Sequence, residues 1–238
     1  EWGKPIRISD EGFGLTPHSG GDSVAVSADG KLFAAYVRKP EDLIKGGNPT
    51  RIITVDRNTR AILADDLVMN AAPEWADIHS NPGLVMDHKG ILHLMTGAHY
   101  GGSFYHRAAS APHSSAAWQD QQTVGKDQSY VTLVSDSHNT LHLTPRNGNR
   151  LEYQFRPENG QWSNPIVLAW RGKDYKGYSV YYHHLFIDRN DNLYLAFSYN
   201  DKNTPELPKL IAVSSDHGKS WQLSSTAFLQ SQIKGAQQ

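Results

Sequence analysis

The sequence predicts an all-β chain, a β-propeller of four-stranded antiparallel blades, from three observations. A hairpin-like unit recurs four times, turn residues crowd the middle of each unit, and helical periodicity is scarce. The units read DSVAVSADGKLFAAYV (22–37), NPGLVMDHKGILHLMTGAH (81–99), YVTLVSDSHNTLHLTPR (130–146) and HHLFIDRNDNLYLAFSYN (183–200). Each is a short apolar run, a turn rich in Asp, Gly or Asn, and a second apolar run. Aligned on the leucine after the turn, they fall at Leu32, Leu92, Leu141 and Leu193, roughly 50–60 residues apart. Strand-built repeats of about 40–50 residues are the mark of propeller blades.

In chain order, EWGKPIRIS at the N-terminus matches the outer strand of a blade, with GQWSNPIVLAW (160–170) as its internal counterpart. Apolar runs at 23–26, 32–37, 51–55, 84–86, 92–95, 131–134, 141–143, 185–187 and 193–197 read as strands. Between them, Asp29-Gly30, Lys89-Gly90, Asn147-Gly148, Asn159-Gly160 and Asn190-Asp191 supply residues that tolerate the positive φ of tight turns. The run from Asp188 to Asn192 lacks the Gly and closing Glu of an EF-hand loop and is read as a turn. SSDHGKSW (214–221) matches the Asp-box pattern S-x-D-x-G-x-S/T-W, in which Asp and hydroxyl groups tie a turn and the Trp packs between blades. Weaker copies end in Trp118 and Trp162. Four full units and a partial one form a single domain over 1–238, either a small propeller closed by its termini or part of a larger ring. The polar tail SQIKGAQQ is expected to fray.

With 23 basic and 24 acidic side chains, the 238-residue chain has a net charge of −1. No global field draws it to nucleic acid or an anionic membrane, so an anionic ligand must be held by local positive groups. It has no cysteine, which excludes disulfides and thiolate metal sites. No apolar run approaches a membrane span. The start at Glu1, with neither Met nor a signal peptide, reads as a mature or trimmed chain.

His79 stands just before one predicted strand and His99 just after its partner, so a hairpin brings both to one rim. They are either a convergent imidazole pair or two surface histidines at blade corners. His93 and His142 alternate within strands and are expected to pack against neighbouring blades. In the next unit Tyr130 and Arg146 occupy the hairpin ends. Imidazoles, a phenol and a guanidinium form a poor set for glycoside hydrolysis, which uses two carboxylates. They suit proton abstraction beside a carboxylate: Arg balances charge, while His and Tyr move protons. The stretch from Tyr175 to His184 offers aromatic rings for sugar faces, and alternation turns only some of Tyr181, Tyr182, His183 and His184 toward a site. A histidine zinc site there lacks an identifiable third ligand.

HSNPGLVMDHKGILHLMTGAHYGGSFYHRAAS, YVTLVSDSHNTLHLTPR and GYSVYYHHLFIDRNDNLYLAFSYN together resemble the Asp-box (BNR-type) repeat propellers that include the ulvan lyases, over roughly residues 75–222. The resemblance implies a secreted or periplasmic polysaccharide lyase. Its substrate is ulvan, a sulfated rhamnose–uronic acid polymer, cleaved by β-elimination to leave unsaturated uronyl ends. It implies His79 as base, Tyr130 as acid or alternative base, His99 near the leaving group and Arg146 as charge neutraliser. Asn81, Tyr105, Arg107, Tyr178, Tyr182 and His184 are the expected substrate-binding residues. No cofactor is expected for catalysis, and a structural zinc or calcium ion stays open, with no ligands assigned. The expected partner is an anionic sulfated polysaccharide, with no nucleic acid and no membrane, and the chain is expected to be a monomer. Family members are seven-bladed and roughly twice this length, and some hold a metal through cysteine; this chain departs on both counts. A non-catalytic carbohydrate-binding propeller is the alternative. A sialidase-like hydrolase is disfavoured because Glu74 is the only Glu close to His79 in sequence.

Overall fold

The computed structural model describes residues 4–5, 7–8, 12–13, 21–38, 47–72, 79–99, 102–173, 177–200 and 209–225. Among them the secondary structure is all strand, in four antiparallel sheets that are propeller blades. Blade 1 holds β1 (Gly12–Phe13), β2 (Val24–Val26), β3 (Lys31–Arg38), β4 (Asn48–Asp56) and β5 (Ile62–Ala72). Blade 2 holds β6 (Gly83–Met86), β7 (Leu92–Thr96), β8 (Phe104–Ala108) and β9 (Gln122–Val124). Blade 3 holds β10 (Gln128–Ser135), β11 (Leu141–Asn147), β12 (Arg150–Arg156) and β13 (Ile166–Trp170). Blade 4 holds β14 (Val180–Ile187), β15 (Leu193–Tyr199), β16 (Lys209–Ser214) and β17 (Gln222–Ser225). Strands pair in chain order, except that β1 and β2 share one edge of β3. The inner strands β2, β6, β10 and β14 meet in succession.

The predicted hairpins fall on β2–β3, β6–β7, β10–β11 and β14–β15, and GQWSNPIVLAW runs into outer strand β13. The N-terminal counterpart is largely outside the described residues. Its Lys4, Pro5, Arg7 and Ile8 form no strand, although Ile8 packs on Tyr36, Ile53 and Val55 of blade 1. The C-terminal tail is also outside them.

The apolar core lies between blades, because a blade alternates its side chains between two faces. Phe33, Ala35 and Ile52 of blade 1 pack on Leu84, Leu92 and Leu94 of blade 2. Met95, Phe104 and Val124 of blade 2 pack on Val131, Leu133, Leu141 and Leu143 of blade 3. Leu151 and Tyr153 of blade 3 pack on Leu185, Leu193, Leu195 and Ala212 of blade 4.

One turn recurs at the lower rim of every blade. In blades 2, 3 and 4 an Asp one residue past the inner strand accepts two backbone N–H bonds on Oδ1. Asp87 takes those of Lys89 and Ile91, Asp136 those of His138 and Thr140, and Asp188 those of Asn190 and Asn192, all at 2.7–3.0 Å. Ser27 replaces the Asp in blade 1, its Oγ accepting from Lys31 N–H at 3.1 Å. The fourth residue of each turn has positive φ: Gly30, Gly90, Asn139 and Asp191. This bears out the turn residues read at Gly30, Gly90 and Asp191 and explains why each is Gly, Asn or Asp.

The other carboxylate oxygen reaches into the next strand. His93 Nε2 lies 3.2 Å from Asp87, His142 Nε2 lies 3.3 Å from Asp136, and the Tyr194 hydroxyl donates to Asp188 at 3.1 Å. His93 then meets His106 at 3.2 Å, and His142 meets the Tyr153 hydroxyl at 2.7 Å. Both histidines are buried structural residues, but their hydrogen bonds tie strands of their own blade rather than reaching a neighbouring one. Burial pushes the Asp136 carboxyl up, but the His142 and backbone bonds outweigh it and hold it at about 2.

The Asp-box closes as its residue types require. Asp216 accepts from Ser214 Oγ, Ser220 N–H and Ser220 Oγ at 2.6–2.9 Å. Gly218 has φ +83, and a Cβ there would stand 1.8 Å from the Tyr153 hydroxyl, so only glycine lets this turn dock on blade 3. Trp221 packs on Tyr153 (ring centroids 5.2 Å apart) and Trp162 on His106 (5.6 Å), each reaching the preceding blade.

Removing the turn carboxylate leaves two backbone donors and a buried imidazole without their acceptor. Asp87→Ala is expected to lower unfolding free energy by about 2 kcal/mol in urea titration, and Asp216→Ala to lower the melting temperature. Unchanged values would contradict the turn's role.

Candidate active site

The upper rim is set by antiparallel pairing, which brings the start of each inner strand beside the end of its partner. In blade 3 Ser129 pairs with Arg146. A bulge between Ser129 and Thr132 gives Tyr130 a φ of +58. Such bulges re-aim a side chain out of the ladder. In blade 2 His79 precedes β6 and His99 follows β7.

The four side chains converge across the blade 2–blade 3 boundary. His79 and His99 have ring centroids 5.1 Å apart, and the Tyr130 ring is 5.8 Å from His79 and 5.6 Å from His99. The Arg146 guanidinium carbon lies 4.2 Å from the Tyr130 centroid and 3.9 Å from that of Tyr178, which arrives from blade 4. Arg146, Tyr130 and His99 are buried, His79 is half-buried and Tyr178 is exposed. Two aromatic faces thus hold a charged fork by cation–π contact at the rim. Its Nε is buried with no hydrogen-bond partner among the described residues.

Blade 4 fastens this arrangement from behind. The buried His183 Nε2–H points at the carbonyls of Tyr130 and Thr144, at 2.8 and 2.9 Å. It holds the bulge on β10 and the strand β11 that carries Arg146. Burial pushes the His183 imidazole down to about 4, so it is neutral near pH 7. Thr132 and Thr144 close the same pair of strands with a 2.6 Å hydroxyl contact.

The expected substrate-binding residues divide. Tyr178 joins the quartet, and a row of rings leads on from it to Tyr181 (5.9 Å) and from there to Tyr182 (6.1 Å). Tyr182 repeats the Tyr130 device, with φ +51 at a bulge between Tyr181 and His184. It is exposed and lines a cavity of about 350 Å³ with Phe197, Lys209 and Leu210 on blade 4. Asn81 is buried at the start of the blade 2 hairpin. Tyr105 packs on the core between blades 1 and 2. The structure places the other two away from the quartet. Arg107 spends its nitrogens on the carbonyls of Gln119, Val68 and Trp118, at 2.7–3.2 Å, and is a clamp between blades 1 and 2. His184 stacks on Phe186 at 4.3 Å and shares the blade face of Ala196 and Ile211, away from the core that faces blade 3. Alternation thus turns His183 inward and Tyr182 and His184 outward. Glu74 and Tyr175 lie outside the described residues. The Arg146–Tyr178 stack was not legible as a contact, because its partners come from different blades.

Comparison with known proteins agrees with this architecture. The sequence model of the BNR repeat-containing family matches residues 29–238. No curated protein sequence matches the chain. Among solved structures, a polysaccharide lyase of family PL25, an ulvan lyase, is similar with TM-score 0.68 at 15% identity, over 90% of this chain and 56% of its own. The same kind of enzyme bound to -[GlcA(1-4)Rha3S]- is similar at 14% identity with the same coverage. A Hadza microbial sialidase is similar with TM-score 0.55 at 11% identity, over 93% of this chain and 51% of its own. The chain therefore spans a little over half the length of the lyases it matches, and at these identities the likeness is one of fold.

His183 ties site geometry to pH. Its folded pKa of about 4 lies below the ordinary histidine value of 6.5, and burial puts His106 lower still, at about 3. The unfolded chain therefore binds more protons between these values, and stability is full above about pH 6.5 and falls as pH drops toward 4. The melting temperature is expected to decline over this window, and less steeply in His183→Gln. A flat profile would contradict a buried neutral latch.

Proposed function

The chain belongs to the BNR repeat-containing family, and on that premise we propose that its upper rim is the active site of a polysaccharide lyase. The substrate is a sulfated rhamnose–uronate polymer of the ulvan type, met outside the cytoplasm by a secreted or periplasmic monomer. The convergence of His79, His99, Tyr130 and Arg146 carries this reading. Two imidazoles, a phenol and a guanidinium suit proton abstraction beside a carboxylate, whereas glycoside hydrolysis uses two carboxylates. The ulvan lyases it resembles in fold support the substrate class.

In this mechanism Arg146 pairs with the uronate carboxylate and stabilises the charge that develops when the neighbouring C5 proton leaves. Its aromatic sandwich pre-positions the guanidinium, and its buried Nε gains an acceptor. His79 takes the C5 proton. The C4–O4 bond breaks as the C4–C5 double bond forms, and Tyr130, with His99 beside it, protonates the departing oxygen. For a uronate that presents C5–H from the opposite face, Tyr130 is the alternative base. The ring row Tyr178–Tyr181–Tyr182 offers apolar faces for the neighbouring sugars.

Ultraviolet absorbance of the unsaturated uronyl product tests the proposal. A rise with ulvan is expected, reduced roughly 10²–10⁴-fold in His79→Ala and in Arg146→Ala, with melting temperatures little changed. Full activity in either variant would remove that residue from the mechanism. Binding of ulvan without product by the folded protein would instead identify a carbohydrate-binding propeller.

A further inference from the structure

The lower rim carries a second chemical cluster, independent of the lyase reading. Asp136, His138 and His217 each present a ligand atom, and these atoms lie within 4.8 Å of one another. Asp136 and His138 belong to the blade 3 turn, and His217 is the residue after Asp216 in the Asp-box of blade 4. They line an open cavity of about 280 Å³ with Thr140, Phe155 and Lys219.

We propose that this cluster is a binding site for a divalent transition cation of the zinc type, which cross-links the rims of blades 3 and 4. Two nitrogens and one carboxylate oxygen are ligands that zinc accepts, with a fourth position left for water. Donors at about 2.0–2.1 Å from a tetrahedral ion stand about 3.3 Å apart. His217 Nδ1 already lies 3.5 Å from Asp136 Oδ2. The His138 side chain is 71% exposed, which leaves it room to move in by the remaining distance.

The supporting groups fit the same reading. Asp136 is 2% exposed, with Oδ1 committed to two backbone N–H groups and Oδ2 held by His142, which rests on Tyr153. Its free direction is therefore fixed toward His217. His138 Nδ1 lies 3.7 Å from Asp191 Oδ2, and Asp191 is itself held by Ser137 N–H at 2.9 Å. Ser137 Oγ lies 3.4 Å from the same nitrogen, so polar groups flank Nδ1 and leave Nε2 of His138 toward solvent as the other possible ligand atom. Among the described residues, Lys219 is the one Lys or Arg lining the cavity, and it is exposed at the surface.

The test is metal uptake by the full chain after chelation and dialysis, measured by elemental analysis and titration calorimetry with Zn²⁺, beside melting curves with Zn²⁺, Ca²⁺ and Mg²⁺. One equivalent of Zn²⁺ is expected, with a rise in melting temperature of roughly 5 °C or more at saturating metal and none with Ca²⁺ or Mg²⁺. His138→Ala with His217→Ala, both outside the upper-rim quartet, is expected to abolish both effects while the metal-free melting temperature stays near the parent's. His79→Ala is expected to leave zinc uptake intact. No uptake by the parent chain would overturn the proposal, as would equal uptake by the double variant.

Discussion

The structure depends on one carboxylate contact, repeated. In three of the four described blades an aspartate past the inner strand takes two backbone N–H groups with one oxygen and grips the returning strand with the other. Because the turn is closed locally, the register of each hairpin is set by bonds within that hairpin and not by contacts between blades. A shift of one residue would turn every inward leucine to solvent. The turn therefore fixes which face of the sheet is apolar, and blade packing follows from that face.

Register also determines the upper rim. Once Leu141 and Leu143 face blade 2, the same pairing sets Arg146 beside Ser129, and the bulge swings Tyr130 out toward the two histidines. His183 then carries the information from one blade to the next, through carbonyls rather than side chains. The site is thus a product of three blades: imidazoles from blade 2, phenol and guanidinium from blade 3, and a ring and a latch from blade 4. Among the described residues, aromatic faces and the His183 latch hold it together.

Much of this was legible in the sequence because its causes are local. A leucine at a constant offset from an Asp, Gly or Asn turn names the hairpins, and hairpin ends name His79, His99, Tyr130 and Arg146 as neighbours in pairs. What joins the pairs was not legible, since the Arg146–Tyr178 stack and the His183 latch cross blade boundaries that no spacing encodes. The bonds of Arg107 to three carbonyls were not legible either, because an arginine on a strand looks the same whether it meets a ligand or caps backbone. His184 keeps the alternation with His183, and which of the two faces meets blade 3 is set by packing that no spacing encodes. The Asp136–His138–His217 cluster stayed hidden for the same reason as the stack. Two of its members sit in one turn and the third is about 80 residues away.

Placing the core between blades rather than inside them has a further consequence. Such a chain behaves as a row of coupled units, in which each unit is stable only as far as its neighbours are. Blades 2 and 3 each share apolar layers with two described neighbours, whereas blades 1 and 4 each share such a layer with one. Among the described residues, the boundary between blades 2 and 3 is thus the one whose two blades are each packed on both faces. The rim quartet straddles that boundary, so a local opening that displaced it would have to disturb apolar layers on either side.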